Sequence, residues 1–441
     1  MNEMRKTSLR GKIYVKHGFP FKGEHFSSEG KYIVLTPGNF EESGGFKFEL
    51  EKAKFYTGEI RSDYICNKGD LIVAMTEQVE GLLGSAAIVP EDDRFLHNQR
   101  IGLVIVDETN IHKMFLYHLF KTKSVRQQLR RSSSGSKVKH TSPDRIYDVI
   151  VDLPTYLAQK AIASVLSALD AKIEINNRIN AELEAIAKTL YDYWFVQFDF
   201  PDKLGKPYKA SGGKMVWNKE LKREIPESWE VKRLGNIFET SLGGTPSTKN
   251  RSYWENGTVN WLNSGEVANF PVIDSELKIT EAAIHHSATN VLPRGTVLLS
   301  ITRHLRPTVL AIDACANQSV VGIKENGDLK YYFAYPYIKN EIRRLLTLRT
   351  GAQQPHINKD IVDASLITIP SEESNILKLY NSKIGSAYEQ IINNAFQNRQ
   401  LADLRDWLLP MLMNGQVRVR GEIESQLAKM SDENKLLANA L

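Results

Sequence analysis

Across residues 155–195 the chain reads TYLAQKAIASVLSALDAKIEINNRINAELEAIAKTLYDYWF, with no Gly or Pro and many Ala, Leu, Glu and Lys. These are good helix formers. Apolar residues return in sevens: Ile162, Leu169, Leu183 and Leu190 make one row, with Val165, Ile179, Ile186 and Tyr193 beside it. The two rows predict an a/d seam, and Asn176 falls on the first, where a polar residue fixes register at some cost in stability. Such a helix spans about 60 Å at 1.5 Å per residue, too long for one small domain. A second run covers 371–409, with Leu377, Ile384 and Ile391 in one row and Tyr380, Ala387, Leu401 and Leu408 in the other. Asn394 and Asn398 interrupt it, and Pro410 is expected to end it. Two helices of similar length, each with a partial stripe, predict an antiparallel pair.

The pattern before each helix also repeats. GSKVKHTSPDRIYDVIVDLP (135–154) and GAQQPHINKDIVDASLITIP (351–370) align without a gap at a shift of 216, matching Gly135 with Gly351, His140 with His356, Asp144 with Asp360 and Pro154 with Pro370. Upstream, 115–131 faces 331–347, each predicted as a basic amphipathic helix. GDLIVAMT (69–76) echoes GTVLLSIT (295–302), an apolar run after a Gly turn and so a strand signal. Asn98-Gln99 and Asn317-Gln318 form a further echo, read as structural turns. The fold class expected is mixed α/β: two similar domains at opposite ends of an antiparallel pair of long helices, related by a pseudo-two-fold. The boundaries are domain one at 1–154, a spacer helix at 155–197, an extended Gly/Pro/Lys-rich linker at 198–225, domain two at 226–370, a second spacer helix at 371–410 and a tail at 411–441.

A chain of 441 residues with 25% charged and 42% hydrophobic positions is an ordinary globular composition for two or three domains. No run of 18 apolar residues exists and the N-terminus lacks a signal-peptide core, so a cytoplasmic protein without a membrane partner is expected. Only Cys66 and Cys315 are present, which argues against a disulfide framework or a cysteine zinc site. Net charge is +5, yet 121–139 carries seven basic residues and no acid. Catalytic signatures are missing: no P-loop, since GGTPSTKN at Gly243 has the wrong spacing, and no GxGxxG, HExxH or GxSxG. No Pro-Pro is present for the loop with which an amino-methyltransferase holds a flipped base. His285-His286 reads as a surface pair. A binding protein is favoured over an enzyme.

Two diverged domains on a rigid rod suit a bipartite linear target, and B-DNA rises about 3.4 Å per base pair. Basic helices and loops then supply phosphate contacts, while variable side chains read base edges. After the shared strand, one domain continues Glu77-Gln78-Val79-Glu80 and the other Arg303-His304-Leu305-Arg306. Unlike chemistry at equivalent positions is what unlike half-sites require: Gln78 for an adenine edge, Arg303 or Arg306 for a guanine, with Glu77 and His304 in the same loops. The competing reading is drift in a solvated loop. Phosphate contact is assigned to Lys137, Lys139, His140, Gln353 and His356, against turn support. It is also assigned to Lys121, Lys123, Arg126, Arg130, Arg131, Arg343 and Arg344, against the wet faces of their helices. Tyr253, Trp254 and Trp261 read as core.

Several segments carry a family resemblance: QKAIASVLSALDAKIEINN from Gln159, DYWFVQFDFPDKLGKPYKASGGKMVWN from Asp192, REIPESWEVKRLGNI from Arg223 and WLLPMLMNGQVRV from Trp407. With them the chain resembles, over essentially its whole length, the specificity subunits of type I restriction-modification systems. GFPFKGEHF from Gly18 and GGTPSTKNRSYW from Gly243 resemble the openings of that family's two target-recognition domains. The resemblance implies a non-catalytic subunit that reads an asymmetric, gapped double-stranded DNA sequence, one half-site per domain, in bacterial or archaeal host defence. It implies two modification subunits that make N6-methyladenine and two restriction subunits that are motor nucleases. S-adenosylmethionine, ATP and Mg2+ would belong to those partners, with no cofactor in this chain. The long helices would set the gap, and their outer faces would dock the modification subunits. Residues 421–441 lie beyond the family's usual end motif. The rivals are a coiled-coil adaptor with two ligand-binding domains, and a cryptic nucleic-acid enzyme.

Overall fold

The computed structural model describes residues 5–417 and 419, apart from 78, 79, 352 and 354. Most of the expected tail, and Gln78, therefore lie outside the described residues. The chain divides into two compact units, the first built from 1–172 with 400–441 and the second from 173–399.

In the first unit, four antiparallel strands run in the order Ile13–His17, Ile101–Val106, Leu71–Ala74, Ala86–Ile88. Leu71–Ala74 is buried at every position because both sheet faces are covered. Side chains alternate across a strand. Leu71 and Val73 accordingly enter a core with Phe115, Leu116 and Phe120 of the helix Lys113–Phe120, while Ile72 and Ala74 enter another with Ile33, Val89 and Phe95. The second unit repeats this order with Thr240–Leu242, Val320–Ile323, Val297–Ser300 and Pro307–Val309. There Val297 and Leu299 face one core and Leu298 another. Each unit adds a smaller sheet with one parallel pairing, Tyr32–Val34 on Phe95–Leu96 and Val259–Leu262 on Cys315–Ala316. Each also has a hydrogen-bonded pair just before a long helix, Arg5–Ser8 with Ile150–Leu153 and Trp229–Arg233 with Leu366–Pro370.

The two basic helices are not alike. Residues 331–347 form one helix, Tyr331–Thr347, while the first unit breaks between Lys113–Phe120 and Lys123–Ser132. Thr122 causes the break: its extended backbone and its hydroxyl, which accepts from Val125 N, start a new helix. The expected extended linker is also compact. Phe198 and Phe200 are buried against Trp229, Tyr208 stacks on Phe200 at 4.7 Å, and Met215–Asn218 pairs with Arg223–Pro226.

The long helices run Tyr156–Tyr191, widening to a π turn at Asp192–Val196, and Ile376–Met413. The second passes through Pro410 and gains one more turn, with Asn414 N donating to Pro410 O. Within each unit their segments pair antiparallel. In the first, Asp170 meets Arg405 and Ile162 shares a core with Leu412. In the second, Asn176 meets Gln397 and Asn398, while Tyr191 meets Tyr380. The seam is not the one expected. The row 162, 169, 176, 183, 190 does face inward, but its companion is Leu166, Ile173, Asn180, Ala187 and Trp194. Ile179, Ile186 and Tyr193 are exposed at 41%, 58% and 38%. Amides line part of the second unit's seam: Asn176 donates to Gln397 and Asn398, Asn394 to Asn180, and Asn398 to Asn177.

Candidate nucleic-acid interface

Two echoes far apart in the chain are hydrogen-bonded to each other, in the same register, in both units. In the first, Thr141 N donates to Met75 O at 2.9 Å, Thr76 pairs with His140, and His140 closes a reciprocal pair with Ser134. In the second, Ile357 N donates to Ile301 O at 3.0 Å, Thr302 pairs with His356, and His356 closes the same reciprocal pair with Thr350. His140 and His356 thus act through their backbones as the tie between the loop after the shared strand and the loop after the basic helix. The turns behind this frame also match. Asn98 and Asn317 each accept on Oδ1 from the amide two residues on, at 3.2 and 3.0 Å. Gly18 and Gly243 lie so close to those turns that a Cβ would stand 2.1 Å from Asn98 O and 2.2 Å from Asn317 O. The Asn pairs are structural turns, and the two domain-opening motifs need their Gly for this approach.

Several nominated side chains are committed to the first unit's own fold. Glu77 is 4% exposed and accepts from Gly81 N at 3.1 Å and Leu83 N at 2.9 Å, so it is a loop anchor and not a base reader. The Lys121 side chain, 3% exposed, donates to Asp170 at 3.1 Å and does not reach solvent phosphates. Arg126 donates to Glu42 O at 3.1 Å and to Gly81 O. Burial lowers its pKa to about 10, against the opposing pull of Glu77 and Glu42. Arg130 pairs with Glu80 and lies 3.8 Å from Glu77. Sequence pattern showed the charge of these residues but not their partners, which are distant in the chain. Lys123, Arg131, Lys137 and His140 remain exposed, and Lys139 is half-buried in its short strand.

In the second unit Arg303, His304 and Arg306 are exposed while Leu305 turns inward at 5%. Arg303 sits in the left-handed region at φ +56°, its N–H on Pro355 O and its carbonyl on Arg349 Nη1. Gln353 and His356 are exposed beside this loop and Arg343 is exposed on the helix Tyr331–Thr347, but Arg344 bonds Glu341 and Ser365 instead. Sequence reasoning passed over Arg145, which donates to Ser134 Oγ and His140 O, and Arg349. Each is a lone Arg beside a turn, without a pattern to mark it. Trp261 is core, its indole on Gly244 O and its ring 5.0 Å from Trp254. His285 and His286 are a surface pair.

Comparison with known proteins bears on what this doubled frame is. The profile of the family described as the type I restriction modification DNA specificity domain matches twice, over residues 10–185 and 226–404. The chain belongs to this family. The specificity subunit of the type I restriction enzyme MjaIX from Methanocaldococcus jannaschii is 28% identical over 320 residues, 71% of each chain. That of HindI from Haemophilus influenzae is 21% identical over 446 residues, covering 89% of this chain and 95% of the relative. In fold, the chain is similar to the crystal structure of a type I restriction-modification S subunit from M. genitalium, with a TM-score of 0.57 at 16% identity over 94% of this chain and 97% of that one. Each of the two profile matches covers one of the two frames just described. The repeat seen in the sequence is therefore a repeat of specificity domains. No helix among the described residues is long and apolar enough to cross a membrane.

Proposed function

We propose that the chain is the non-catalytic DNA-reading subunit of a type I restriction-modification complex, each unit reading one half of a gapped target in the cytoplasm of a bacterium or archaeon. One observation carries this reading. The same backbone frame occurs twice, with Glu80 on one copy and Arg303, His304 and Arg306 on the other. A shared frame under unlike polar side chains suits two readers of unlike base edges. Two modification subunits using S-adenosylmethionine and two ATP- and Mg2+-dependent restriction subunits would complete the assembly, and this chain would hold none of those cofactors. The exposed heptad row Ile179, Ile186 and Tyr193 is the face assigned to a modification subunit, since it leaves an apolar stripe outside the helix seam. Modified-base sequencing of DNA from cells carrying the chain and its modification subunits is the test. Two short methylated blocks with a fixed gap are expected; methylation that ignores this chain would favour the adaptor reading.

The geometry also separates two neighbouring arginines. Arg131 is exposed, whereas Arg130 is occupied by Glu80. In salt titrations of the assembled complex on target DNA, Arg131→Ala is expected to reduce the log–log slope by about 1, as loss of one phosphate contact does. Arg130→Ala is expected to leave the slope unchanged. Equal slopes for the parent and Arg131→Ala would remove the phosphate assignment.

A further inference from the structure

Glu80 is a carboxylate in a cationic neighbourhood. It is exposed, its carboxylate pairs with Arg130, and Arg131, Lys137 and Lys139 are the basic residues around the end of the same helix. Such a surface attracts phosphates, and a carboxylate on it weakens that attraction. It is nevertheless held in place with care. Gly81 and Gly84 adopt φ of +115° and +76°, and a Cβ on Gly84 would stand 2.4 Å from Leu129 Cδ1. Arg126, Leu129 and Arg130 lie three and four residues apart on one face of Lys123–Ser132, so segment 80–84 is laid along that face. Glu77 holds the segment from beneath through Gly81 N and Leu83 N, and Arg126 holds it through Gly81 O. The loop is longer than its counterpart: Ala74 N donates to Ser85 O where Ser300 N donates to Arg306 O, so Glu80 lies in a part of the loop that the second unit lacks.

We infer that Glu80 is a specificity-determining residue of the first unit, accepting a hydrogen bond from the exocyclic amino group of a base in the major groove. Arg130 is its positioning residue. Cytosine N4 and adenine N6 are the groove-edge donors such a carboxylate accepts from, and guanine and thymine present none there. On the shorter loop of the second unit, the exposed Arg303 and Arg306 have the opposite polarity and suit the acceptors of guanine. The frame common to both units thus presents a hydrogen-bond acceptor in one and a donor in the other. Glu77 and Arg126 hold the loop and touch no base.

This inference rests on the DNA-reading function proposed above, and its test keeps the two apart. The full chain is co-expressed with its modification subunits, and host DNA methylation is mapped for the parent, Glu80→Ala, Glu80→Gln and Arg130→Ala. A parent map without two blocks overturns the DNA-reading proposal itself. Given a two-block parent map, Glu80→Ala is expected to relax one position of one block, with roughly tenfold or greater loss of discrimination for C or A there. The other block and the gap stay as in the parent and report an intact assembly. Glu80→Gln shifts that position toward adenine, which a side-chain amide bonds in bidentate fashion. Arg130→Ala weakens discrimination at the same position and no other. Whether the parent position is C or A identifies the amino group. A Glu80→Ala map identical to the parent's overturns the inference, as does loss of all methylation in both Glu80 variants, which would make Glu80 a residue of the fold.

Discussion

Asp170→Ala is expected to lower the stability of the first unit by about 3 kcal/mol, the cost of leaving buried charges without their partner. Asp170 lies on the first long helix and accepts from Lys121 at 3.1 Å and from Arg405 on the second helix at 2.8 Å. Those cations are 3% and 14% exposed, and Asp170 itself 24%. His118 stands 4.0 Å away, and burial pushes its pKa down to about 3, so it is neutral at physiological pH and contributes no charge. Burial works to raise the Asp170 pKa, but Lys121 and then Arg405 draw it below the ordinary carboxylate value. A lowered carboxylate pKa stabilises the fold above the unfolded value, about 3.9, and that stability is lost as pH falls through the lower folded value. The gap between the parent and Asp170→Asn should therefore be widest near neutrality and close below about pH 4. Hydrogen exchange reads the effect unit by unit. Protection of Ile101–Val106 is expected to fall about a hundredfold in Asp170→Ala while Val320–Ile323 keeps its own. Equal protection in both strands would mean the cluster holds nothing together.

The second large effect is expected at the two domain-opening glycines. In Gly243→Ala the new methyl meets Asn317 O at 2.2 Å and Ala316 O at 2.3 Å, and in Gly18→Ala it meets Asn98 O at 2.1 Å. These are backbone atoms in hydrogen-bonded turns and no side chain can swing aside, so the segments must part. The cost is about 3 kcal/mol, the upper end for overpacking. Because each turn belongs to one unit, the loss is local. Gly243→Ala should raise exchange along Thr240–Leu242 and erase the second unit's half-site from the methylation map, and Gly18→Ala should do the same for the first. A thermal midpoint within a degree of the parent's would show that the turns yield.

These glycines also indicate what was legible in the chain. Gly, Asn and His recur in both copies because each meets a local need of the backbone: a close approach for Gly, a side-chain oxygen that closes a turn for Asn, and a strand pairing for His. A local backbone need leaves a residue-type signature; the shift of 216 exposes it for His140 and His356, while the Asn and Gly pairs recur at other offsets. The helix seam was half legible. Leu169 and Leu183 fix one row, but at its flank the row through Ile179 and the row through Asn180 satisfy a heptad equally well, and Ile179, Ile186 and Tyr193 of the first face outward. Polar residues at the seam, satisfied by one another across the pair, defeat a reading based on hydrophobicity alone. Charge was the least legible feature. Lys121 and Arg131 belong to one basic run, yet one is sealed against Asp170 and the other is free in solvent. Only the distant partner distinguishes them.

The first unit is closed by residues from both ends of the chain. Ile162 and Leu166 share their core with Leu412 and Met413, and Asp170 waits for Arg405. On a ribosome the whole of 173–399 emerges before that complement does. The later-encoded unit can therefore finish folding first, reversing the usual N-to-C order. Until then the unit made first carries an open apolar groove and a carboxylate with only one of its two cations, Lys121, and the nascent chain is most exposed to aggregation and proteolysis in the half translated earliest.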